Sequence, residues 1–529
     1  MPVCWATLVL ALAPSGPTLA ADHEVDGFVA ATMRDWDIPG LAIAVVLGDK
    51  IIFSKGYGVR EIGRPDRVDA NTTFGIGSVT KSFTATGAAM LVDDEMLAFD
   101  APLIDYLPQL HFQDPWITGH AVVRDLTSHR LGIDELSFYL MLSGNLDTTL
   151  QAVRHMRPAA PFRTFLYSNV GYALLGKTIE AVSGRSWEEF TKERIFKPLG
   201  MNHSYASEAA FIDPNLLATC WLCTAPQGAP YGRAALNDPS ANMASPHALV
   251  GQPDSDQSAA GRVQVLPWRS ERSVVSAGMI HSSVRDMAQY MRLHLAQGEF
   301  LGRRLVSAEQ MKQIHSAQVL LGPDNPGGQD GFRPDGYGMG WIVGTYRGLD
   351  ASHHGGGRAG FGSYVWLFPG KGLGVVVLEN LDFQEGPPLS LIALRFAEHY
   401  LGLQHLPSTD DVIAERLAKR TAVGARSAAC SVRAGADTDS MQYAGAYRNE
   451  MFGEVRIVLE GDHPVLQFHP GSSADLRPHA GGFLACFRGP EEFPTPVAFT
   501  HDSTGEVSGF VLGAIDPQAL SSYGFSRIR

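Results

Sequence analysis

The order of the predicted elements indicates an α+β domain followed by a small all-β unit. A β-hairpin is expected over Gly40–Val59, where two apolar runs flank Gly48-Asp49-Lys50. Helical patterns fill the middle of the chain, and strand patterns return between residues 337 and 379. Because strands open and close this region, we expect both of its ends to share one sheet. The tail from Met441 has short alternating strands separated by Gly-Asp and Asp-Ser-Thr-Gly turns, which indicates the all-β unit.

Length and composition describe a globular protein with more than one domain. The chain has 529 residues, of which 45% are hydrophobic and 18% are charged, so two or three domains are expected. The formal net charge is -13 and no dense Lys/Arg cluster occurs, which disfavours nucleic acid as a partner. After the N-terminus, no segment has the roughly eighteen uninterrupted apolar residues of a membrane span.

The N-terminus has the pattern of a secretory signal peptide. An apolar run over Val3–Ala13 is followed by proline, glycine and small residues. No Lys or Arg precedes this run, so a buried N-terminal strand or helix stays open as the alternative. We expect residues 1–20 to be removed near Ala20 or Ala21, and the protein to be exported to a compartment such as the periplasm.

Periodicity predicts the elements between the first hairpin and the tail. A buried helix is expected over Ser82–Leu97, because apolar side chains recur at helical spacing and no charge stands between Lys81 and Asp93. Gly370-Lys371-Gly372 predicts a tight turn between two strands. Further helices are predicted at Val122–Ser128, Gly171–Val182, Trp187–Phe196, Val284–Ala296, Ala308–Ser316 and Leu389–Leu401, and strands at Tyr337–Gly344, Ser363–Pro369 and Leu373–Glu379.

The composition changes after about His405. Residues from Ala418 to Asp439 are rich in Ala, Arg, Ser and Gly with little periodicity, which is typical of a linker. The predicted organisation is a signal peptide at 1–20, a main domain at 21–405, a linker at 406–440 and a tail domain at 441–529.

Five cysteines are present, one of them in the predicted signal peptide. Cys220 and Cys223 have the spacing of a metal or redox pair, but no second such pair completes a zinc site. The sequence leaves open a disulfide bond there, one between Cys430 and Cys486, or unpaired thiols. No metal and no other cofactor is expected.

Ser78 and Lys81 stand three positions apart at the start of a predicted helix, so their side chains share one face. Gly75-Ile76-Gly77 leaves the approach to the serine open and can free backbone N–H groups. A serine hydroxyl is a weak nucleophile that needs a base, and a lysine among apolar neighbours can serve because burial lowers the pKa of an ammonium group. The alternative is an N-cap serine followed by a lysine in a solvated first turn.

Two further motifs bear on this choice. Tyr167-Ser168-Asn169 precedes a predicted helix, where the phenol could pass a proton and the amide could hold a substrate, or where Asn169 could cap the helix. The same spacing recurs at Tyr447-Arg448-Asn449, where no chemistry is expected, so spacing alone proves little. The glycines of His353-His354-Gly355-Gly356-Gly357 allow close backbone approach to a ligand and an oxyanion, or form a flexible turn.

In this order, Ser-x-x-Lys, Tyr-x-Asn and His-x-Gly resemble the motifs of the serine β-lactamase and penicillin-binding protein superfamily. The resemblance is closest to the branch of class C β-lactamases, D-aminopeptidases and esterases. The stretches RDLTSHRLGI, SAGMIHSSVRDMAQYM and YGMGW agree with it, and it spans about Asp26 to Leu403. It implies an α+β fold in which an antiparallel sheet is flanked by helices, with an all-α subdomain. The tail resembles, more loosely, the lipocalin-like β-barrel appended to such hydrolases.

The resemblance also implies a role for each motif residue. Ser78 would be the acylated nucleophile, Lys81 the base that activates it, and Tyr167 the group that relays a proton to the leaving group. The remaining substrate-binding groups would be Asn169, His354, Gly355 and Gly356, with an oxyanion hole formed by the N–H groups of Ser78 and Gly357.

The third motif narrows the expected substrate. β-Lactamases and D,D-peptidases usually have Lys-Thr-Gly there, whereas this chain has His354, and histidine is mostly neutral at pH 7. If His353 were the first motif residue instead, the oxyanion donor would shift from Gly357 to Gly356. The histidine weakens the case for penicillin and suits an esterase or a peptidase. Since neither Gly-x-Ser-x-Gly nor His-Glu-x-x-His occurs, an α/β-hydrolase and a zinc metallopeptidase are not expected.

These observations predict an exported, metal-independent serine hydrolase that forms an acyl-enzyme on Ser78. We favour a peptide or other amide over an ester, because a β-barrel cap would admit only short or linear peptides, including those with D-residues or derived from opened cyclic peptides. A carboxylesterase or β-lactamase-like enzyme is the alternative, and a silent binding protein on the same fold is a remote one. The expected partner is the small-molecule or short-peptide substrate.

Overall fold

The computed structural model covers most of both predicted domains. Residues 1–18, most of the predicted linker at 406–440 and every cysteine except Cys486 lie outside the described residues. No helix within the described part of the chain is both long and apolar enough to cross a membrane. The described residues are 19–133, 145–156, 158–213, 215, 232–249, 263–269, 271–321, 331–382, 389–406, 410–415, 417, 440–450, 452–461, 463–469, 472–479, 482–488, 494–513 and 523–528.

Strands lie near both ends of the main domain, helices fill most of its middle, and strands dominate the tail. The helices are α1 (Leu19–Asp35), α2 (Thr80–Asp93), α3 (Leu103–Tyr106), α4 (Pro115–His120), α5 (Val123–Thr127), α6 (Leu146–Ala152), α7 (Asn169–Ser183), α8 (Trp187–Thr191), α9 (Lys197–Leu199), α10 (Val275–Gly278), α11 (Val284–Leu295), α12 (Ala308–Ile314) and α13 (Leu389–Leu401). The main-domain strands are β1 (Gly40–Leu47), β2 (Lys50–Gly58), β3 (Phe74–Gly75), β4 (His247–Leu249), β5 (Val263–Val265), β6 (His281–Ser282), β7 (Glu299–Phe300), β8 (Arg303–Arg304), β9 (Phe332–Tyr337), β10 (Ile342–Tyr346), β11 (Leu349–Arg358), β12 (Phe361–Phe368) and β13 (Leu373–Glu379).

A seven-stranded antiparallel sheet forms the middle layer, with the strand order β2-β1-β13-β12-β11-β10-β9. The first hairpin pairs with the last strand of the domain, Leu41 lying opposite Glu379 and Leu47 opposite Leu373. Strands β1 and β13 are apolar on both faces because helices cover both, with α1 and α13 on one side and α2 and α11 on the other. The predicted α+β fold, with both ends in one sheet, is confirmed.

The helix predicted at Ser82–Leu97 is α2, which begins two residues earlier and ends at Asp93. Every residue from Thr80 to Leu91 is buried, because α2 lies between the sheet and the helices of the all-α part. The ring of Phe83 stacks on that of Tyr290 from α11, with centroids 3.7 Å apart. Burial on all sides explains the absence of charge that the sequence shows between Lys81 and Asp93.

The predicted single strand Tyr337–Gly344 is wrong. Strand β9 ends at Tyr337 and β10 begins at Ile342, with a tight turn between them. Gly340 has φ 78, and a Cβ there would lie 2.7 Å from the Cα of Ser82, so the turn packs directly on the start of α2. The residues alternate as in one strand, and the chain reverses where the turn packs on α2 and on the end of α12.

The three consecutive glycines of the third motif do not form a turn. They lie inside β11 and pair with β12, Gly355 opposite Tyr364 and Gly357 opposite Gly362. The alternative of a flexible glycine turn is therefore wrong, because both sides of the motif are held in the central sheet.

The tail is a closed barrel, in agreement with the predicted fold class. It closes where the first strand pairs with the last, Tyr447 lying opposite Arg527, and apolar and aromatic side chains fill it. The hydroxyl of Tyr447 donates to the carbonyl of Tyr443 at 2.6 Å, so this second Tyr-x-Asn serves barrel structure. Cys486 is disulfide-bonded. The strands are β14 (Gly445–Asn449), β15 (Gly453–Glu460), β16 (His463–His469), β17 (Ser472–His479), β18 (Gly482–Phe487), β19 (Pro494–His501), β20 (Val507–Leu512) and β21 (Tyr523–Arg527).

The turn between β14 and β15 contacts the main domain. Phe452 packs against the core of the main domain and also against Phe468 and Phe525 in the barrel. A carboxylate oxygen of Glu450 lies 3.7 Å from Nδ1 of His155, just after α6. This turn therefore joins the barrel to the main domain near the helices of the all-α part.

Gly77 offers a test of how closely the sheet approaches α2. It has φ 50, and a Cβ there would lie 2.6 Å from the backbone nitrogen of Gly357. Gly63 has φ 80, but a Cβ there would meet nothing within 4 Å, so it is a matched control. Gly63→Ala is expected to lower the free energy of unfolding by about 1 kcal/mol, the cost of a left-handed alanine. Gly77→Ala should lower it by about 2 kcal/mol or more, since steric overlap adds to strain.

Urea unfolding of both variants measures the difference. Equal losses for Gly63→Ala and Gly77→Ala would show that β11 does not press on the turn before α2.

Candidate active site

Ser78 lies in the middle of a 3-10 turn, Gly77–Val79, that leads into α2. No side chain caps the N-terminus of α2, and the residue in the cap position is Val79. Lys81 is fully buried rather than solvated. The interpretation of Ser78 as an N-cap beside a solvated lysine is therefore wrong, because Ser78 caps no helix and Lys81 has no contact with solvent.

The amine of Lys81 is held by three oxygen atoms from three different parts of the fold. Its Nζ lies 2.9 Å from Oγ of Ser78, 2.6 Å from Oδ1 of Asn169 and 3.0 Å from the carbonyl oxygen of Ala277. A protonated amine has three N–H groups for these acceptors. A neutral amine has two for Asn169 and Ala277, which leaves its lone pair for the hydroxyl proton of Ser78. The geometry therefore accommodates lysine both before and after it accepts a proton.

Tyr167 and Asn169 converge on the same centre from the start of α7. The hydroxyl of Tyr167 lies 2.8 Å from Oγ of Ser78, and its ring centroid lies 4.8 Å from Nζ of Lys81. The cap of α7 is Ser168, whose Oγ accepts the N–H of Gly171 at 3.3 Å. The alternative that Asn169 caps this helix is therefore wrong, since its side chain accepts from Lys81 instead.

Strand β11 extends past its neighbour and presents a backbone edge to Ser78. Its pairing with β10 ends at His353, whereas its pairing with β12 continues to Arg358. A Cβ on Gly356 would lie 2.9 Å from the backbone nitrogen of Ser78, so only glycine allows this approach. Gly357 is exposed and Ser78 is partly exposed, which leaves room for a substrate carbonyl beside their N–H groups.

The two histidines of the third motif lie on opposite faces of β11. His353 points into the core beneath α13, where its Nδ1 lies 2.8 Å from the hydroxyl of Tyr364. His354 points toward the centre formed by Lys81 and Tyr167, its ring centroid 6.4 Å from that of Tyr167. The alternation of a strand therefore brings His354, and not His353, to the serine.

Hydrogen bonds hold His354 as a neutral ring. Its Nδ1 lies 2.6 Å from the carbonyl oxygen of Gly355, which can only accept, so Nδ1 carries the proton. Its Nε2 then accepts from the hydroxyl of Tyr337 at 3.1 Å. Burial, helped by the charge of Lys81, lowers the pKa of His354 to about 3. His354 therefore brings neither a positive charge nor a free N–H group to the site.

Sequence reasoning missed three contributors: the Ala277 carbonyl, Tyr337, and His129, whose ring centroid lies 4.3 Å from that of Tyr167. All three lie in stretches that supported the family resemblance, but no role was assigned to them. A backbone carbonyl has no sequence signature, and Tyr337 contributes through tertiary contacts, among them its hydrogen bond with His354. The family motifs were the one available signal for these positions.

The described residues contain no group of three or more His, Cys, Asp or Glu side chains that could hold a metal ion. The groups gathered around Ser78 are an amine, a phenol, an amide and backbone N–H groups. Such a set can activate a hydroxyl and stabilise an oxyanion.

The β-lactamase family model matches residues 25–397, about the whole main domain. The chain belongs to the β-lactamase family. That family places it in the superfamily of serine β-lactamases and penicillin-binding proteins, as its motifs predicted, and supports assignment as a hydrolase.

Relatives of this β-lactamase family member match the main domain or nearly the whole chain. Unguisins hydrolase ungD of Aspergillus violaceofuscus is 25% identical over 482 residues, which cover 85% of this chain and 78% of that protein. Penicillin-binding protein 4 of Amycolatopsis lactamdurans is 27% identical over 370 residues, covering 68% of this chain and 82% of that protein.

Solved structures show the same fold. The octameric penicillin-binding protein homologue from Pyrococcus abyssi has a TM-score of 0.58 at 22% identity, covering 95% of this chain and 99% of that one. The crystal structure of SurE has a TM-score of 0.54 at 22% identity, covering 96% of this chain and 99% of that one.

The buried histidines of this family member make its stability depend on pH. Burial lowers the pKa of His247 and His315 to about 4, and burial with the charge of Lys81 lowers that of His354 to about 3. Each is neutral when folded but takes up a proton near pH 6.5 when unfolded. The unfolded state therefore binds more protons between about pH 6.5 and about pH 4, so the free energy of unfolding falls as pH falls through this range.

Urea midpoints are expected to decrease steadily from about pH 7 to about pH 5. The variant His247→Gln should show a smaller decrease, because one of the buried neutral rings is gone. A midpoint that does not change with pH would contradict the neutral state of these histidines.

Proposed function

We propose that this protein is a serine hydrolase that forms an acyl-enzyme on Ser78 and cleaves amide bonds of short or linear peptides. One observation carries the proposal. Oγ of Ser78 is within hydrogen-bond distance of both Nζ of Lys81 and the hydroxyl of Tyr167, beside the exposed backbone of Gly357. A serine held between two proton-transfer groups at an open backbone edge has what an acyl transfer requires.

In the first step, Oγ of Ser78 attacks the substrate carbonyl carbon and its proton passes to the neutral amine of Lys81. The carbonyl oxygen becomes an oxyanion, which the N–H groups of Ser78 and Gly357 stabilise. Asn169 and the carbonyl of Ala277 keep Lys81 in place during the transfer, since both accept from Nζ.

In the second step, the carbon–nitrogen bond breaks and the leaving amine takes a proton from Tyr167. Lys81 then gives its proton to Tyr167, which restores the phenol and the neutral amine. The acyl group remains on Ser78. A water molecule then attacks the ester carbonyl and gives a proton to the neutral amine of Lys81. As the ester bond breaks, Lys81 returns this proton to Oγ of Ser78, which releases the acid and restores the serine.

The surroundings of His354 favour substrates without a carboxylate next to the scissile bond. Both ring nitrogens are engaged, by Gly355 and Tyr337, and the ring is neutral. Asn169, Gly355 and Gly356 remain as substrate-binding groups on the two sides of Ser78. The family relative described as an unguisins hydrolase supports hydrolysis as the activity, and we take an amide as the bond.

We propose that the chain is divided into a main domain at 21–405, a linker at 406–440 and a barrel domain at 441–529. We also propose that the barrel limits the length of the substrate. The turn that carries Glu450 and Phe452 touches the main domain next to α6. Helix α6 packs on α7, through Lys177 and Asp147 at 2.6 Å, and α7 begins with Asn169. A barrel held there can wall off one end of the cleft.

We also propose that the protein is exported after removal of residues 1–20. The apolar N-terminal run supports this, and so does the disulfide bond of Cys486, because such bonds persist in oxidising compartments. The mass of the mature protein tests it, and a chain that retains residues 1–20 would contradict export by this route.

The first test is labelling of the serine. A fluorophosphonate probe is expected to modify Ser78, located by mass spectrometry, and Ser78→Ala should lose the label. Ser78→Ala should also lose about three or more orders of magnitude in rate while keeping its fold. Ser82→Ala is the control, since Ser82 lies one helical turn away and is buried with its hydroxyl on the carbonyl of Val79.

The substrate class is tested by measuring turnover of a peptide library and of nitrophenyl esters with the same variants. Peptide or amide cleavage that depends on Ser78 supports the proposal. Turnover of esters alone would make the protein an esterase. No label on Ser78 and no turnover would make it a binding protein on the same fold.

The role of the barrel is tested at Phe452. Phe452→Ala removes the ring that contacts both domains, so KM for peptides should change by up to about tenfold, the effect of roughly 1.4 kcal/mol. The control Phe499→Ala removes a ring that packs on the barrel core, and its aromatic partners within the described residues are Tyr443, Phe483 and Phe510. Small nitrophenyl esters should respond to neither change. Equal effects of both variants on peptides would contradict a role in the cleft.

A further inference from the structure

The ring of His129 packs against the ring of Tyr167, and His129 also accepts hydrogen bonds from the residues before and after Tyr167. The two ring centroids are 4.3 Å apart with the planes inclined by 32°. Nδ1 of His129 accepts the N–H of Ser168 at 3.0 Å, and its carbonyl oxygen accepts the N–H of Leu166 at 2.9 Å. The residues before and after Tyr167 are therefore both fixed by this one histidine.

The backbone of His129 is held in a conformation that most side chains avoid. Its φ is 58, in the left-handed region, where glycine would be free of strain. Two hydrogen bonds hold the adjacent chain. The N–H of Arg130 donates to the carbonyl of Asp125 at 2.9 Å, and the N–H of Arg163 donates to the carbonyl of Arg130 at 2.7 Å. A ring kept at a strained position indicates that the side chain itself is needed there.

The ring of His129 is neutral and has one defined tautomer. Because Nδ1 accepts an amide N–H, the proton of the neutral ring is on Nε2. Burial, followed by the charge of Lys81, lowers its pKa well below the usual value. A neutral ring can pack against Tyr167 close to Lys81 without adding a second positive charge.

We propose that His129 is a positioning residue for Tyr167. Its ring and its two backbone contacts hold the phenol so that the hydroxyl stays 2.8 Å from Oγ of Ser78. The proposal rests on the function proposed for Tyr167 as the proton relay. A displacement of about 1 Å at a reacting group can cost about a hundredfold in rate.

Two substitutions separate the side-chain contact from general packing. His129→Leu keeps a side chain of similar bulk, but leucine is apolar and removes the acceptor for the N–H of Ser168. His129→Asn places Oδ1 near the position of Nδ1 and tolerates a positive φ. We expect His129→Leu to lower kcat by about ten- to a hundredfold with KM nearly unchanged, and His129→Asn to recover most of the loss.

The Tyr167→Phe background shows whether His129 acts through the phenol. With the hydroxyl removed, adding His129→Leu should lower kcat less than about twofold further, because effects on one unit are not additive. Tyr447→Phe, the matched change in the barrel Tyr-x-Asn, should leave kcat unaltered.

The outcomes are distinguishable. Full loss from His129→Leu on top of Tyr167→Phe would overturn the positioning role, and so would equal losses in His129→Leu and His129→Asn. If Tyr167→Phe itself keeps full activity, the proposed role of Tyr167 as the proton relay is contradicted, whereas the contact between His129 and Tyr167 is not. Should His129→Leu not fold, His129→Gly, which suits φ 58, is used instead and is expected to show the same loss of kcat.

Discussion

The arrangement of the candidate site depends on one buried amine, that of Lys81, which lies within hydrogen-bond distance of three oxygen atoms. Lys81 is fully buried, and its acceptors come from the turn before α2, from the start of α7 and from α10. An amine without such partners would be costly inside a protein, because burial removes its water. The sheet, the all-α part and α10 must therefore be assembled together before Ser78, Lys81 and Asn169 can meet. The site is in this sense a product of the complete main domain.

A second constraint is the close approach of two backbones. The turn at Gly77 and the β11 glycines lie so near each other that a side chain on Gly77 or Gly356 would overlap the opposite chain. The same closeness brings the backbone nitrogen of Gly357 to the turn that carries Ser78, where Gly357 is exposed and Ser78 is partly exposed. Tertiary packing of α2 against β11 thus creates the proposed oxyanion site, and the glycines are what permit it.

Much of the main domain was predictable because apolar periodicity reflects which faces are covered. Strand β13 and helix α13 have the predicted bounds, and α2 differs by a few residues at its ends. The prediction failed at Tyr337–Gly344, where alternation continues through a turn that packs on α2 and on the end of α12. In the candidate site, the motif residues were found by resemblance, but Ala277, Tyr337 and His129 act through contacts that no local pattern records.

The sequence by itself determined the family and the motif residues Lys81, Tyr167 and Asn169 that meet around Ser78, because motif identity is a local property of the chain. Apolar spacing, which is also local, determined the α+β main domain and the all-β tail. The tertiary structure decided which of two adjacent histidines faces the serine, since that depends on the register of β11. It also decided that His354 is neutral with both nitrogens engaged, because burial and the charge of Lys81 act through space. Charge and hydrogen bonding in a buried site are set by neighbours distant in sequence, which is why only the folded chain could show them.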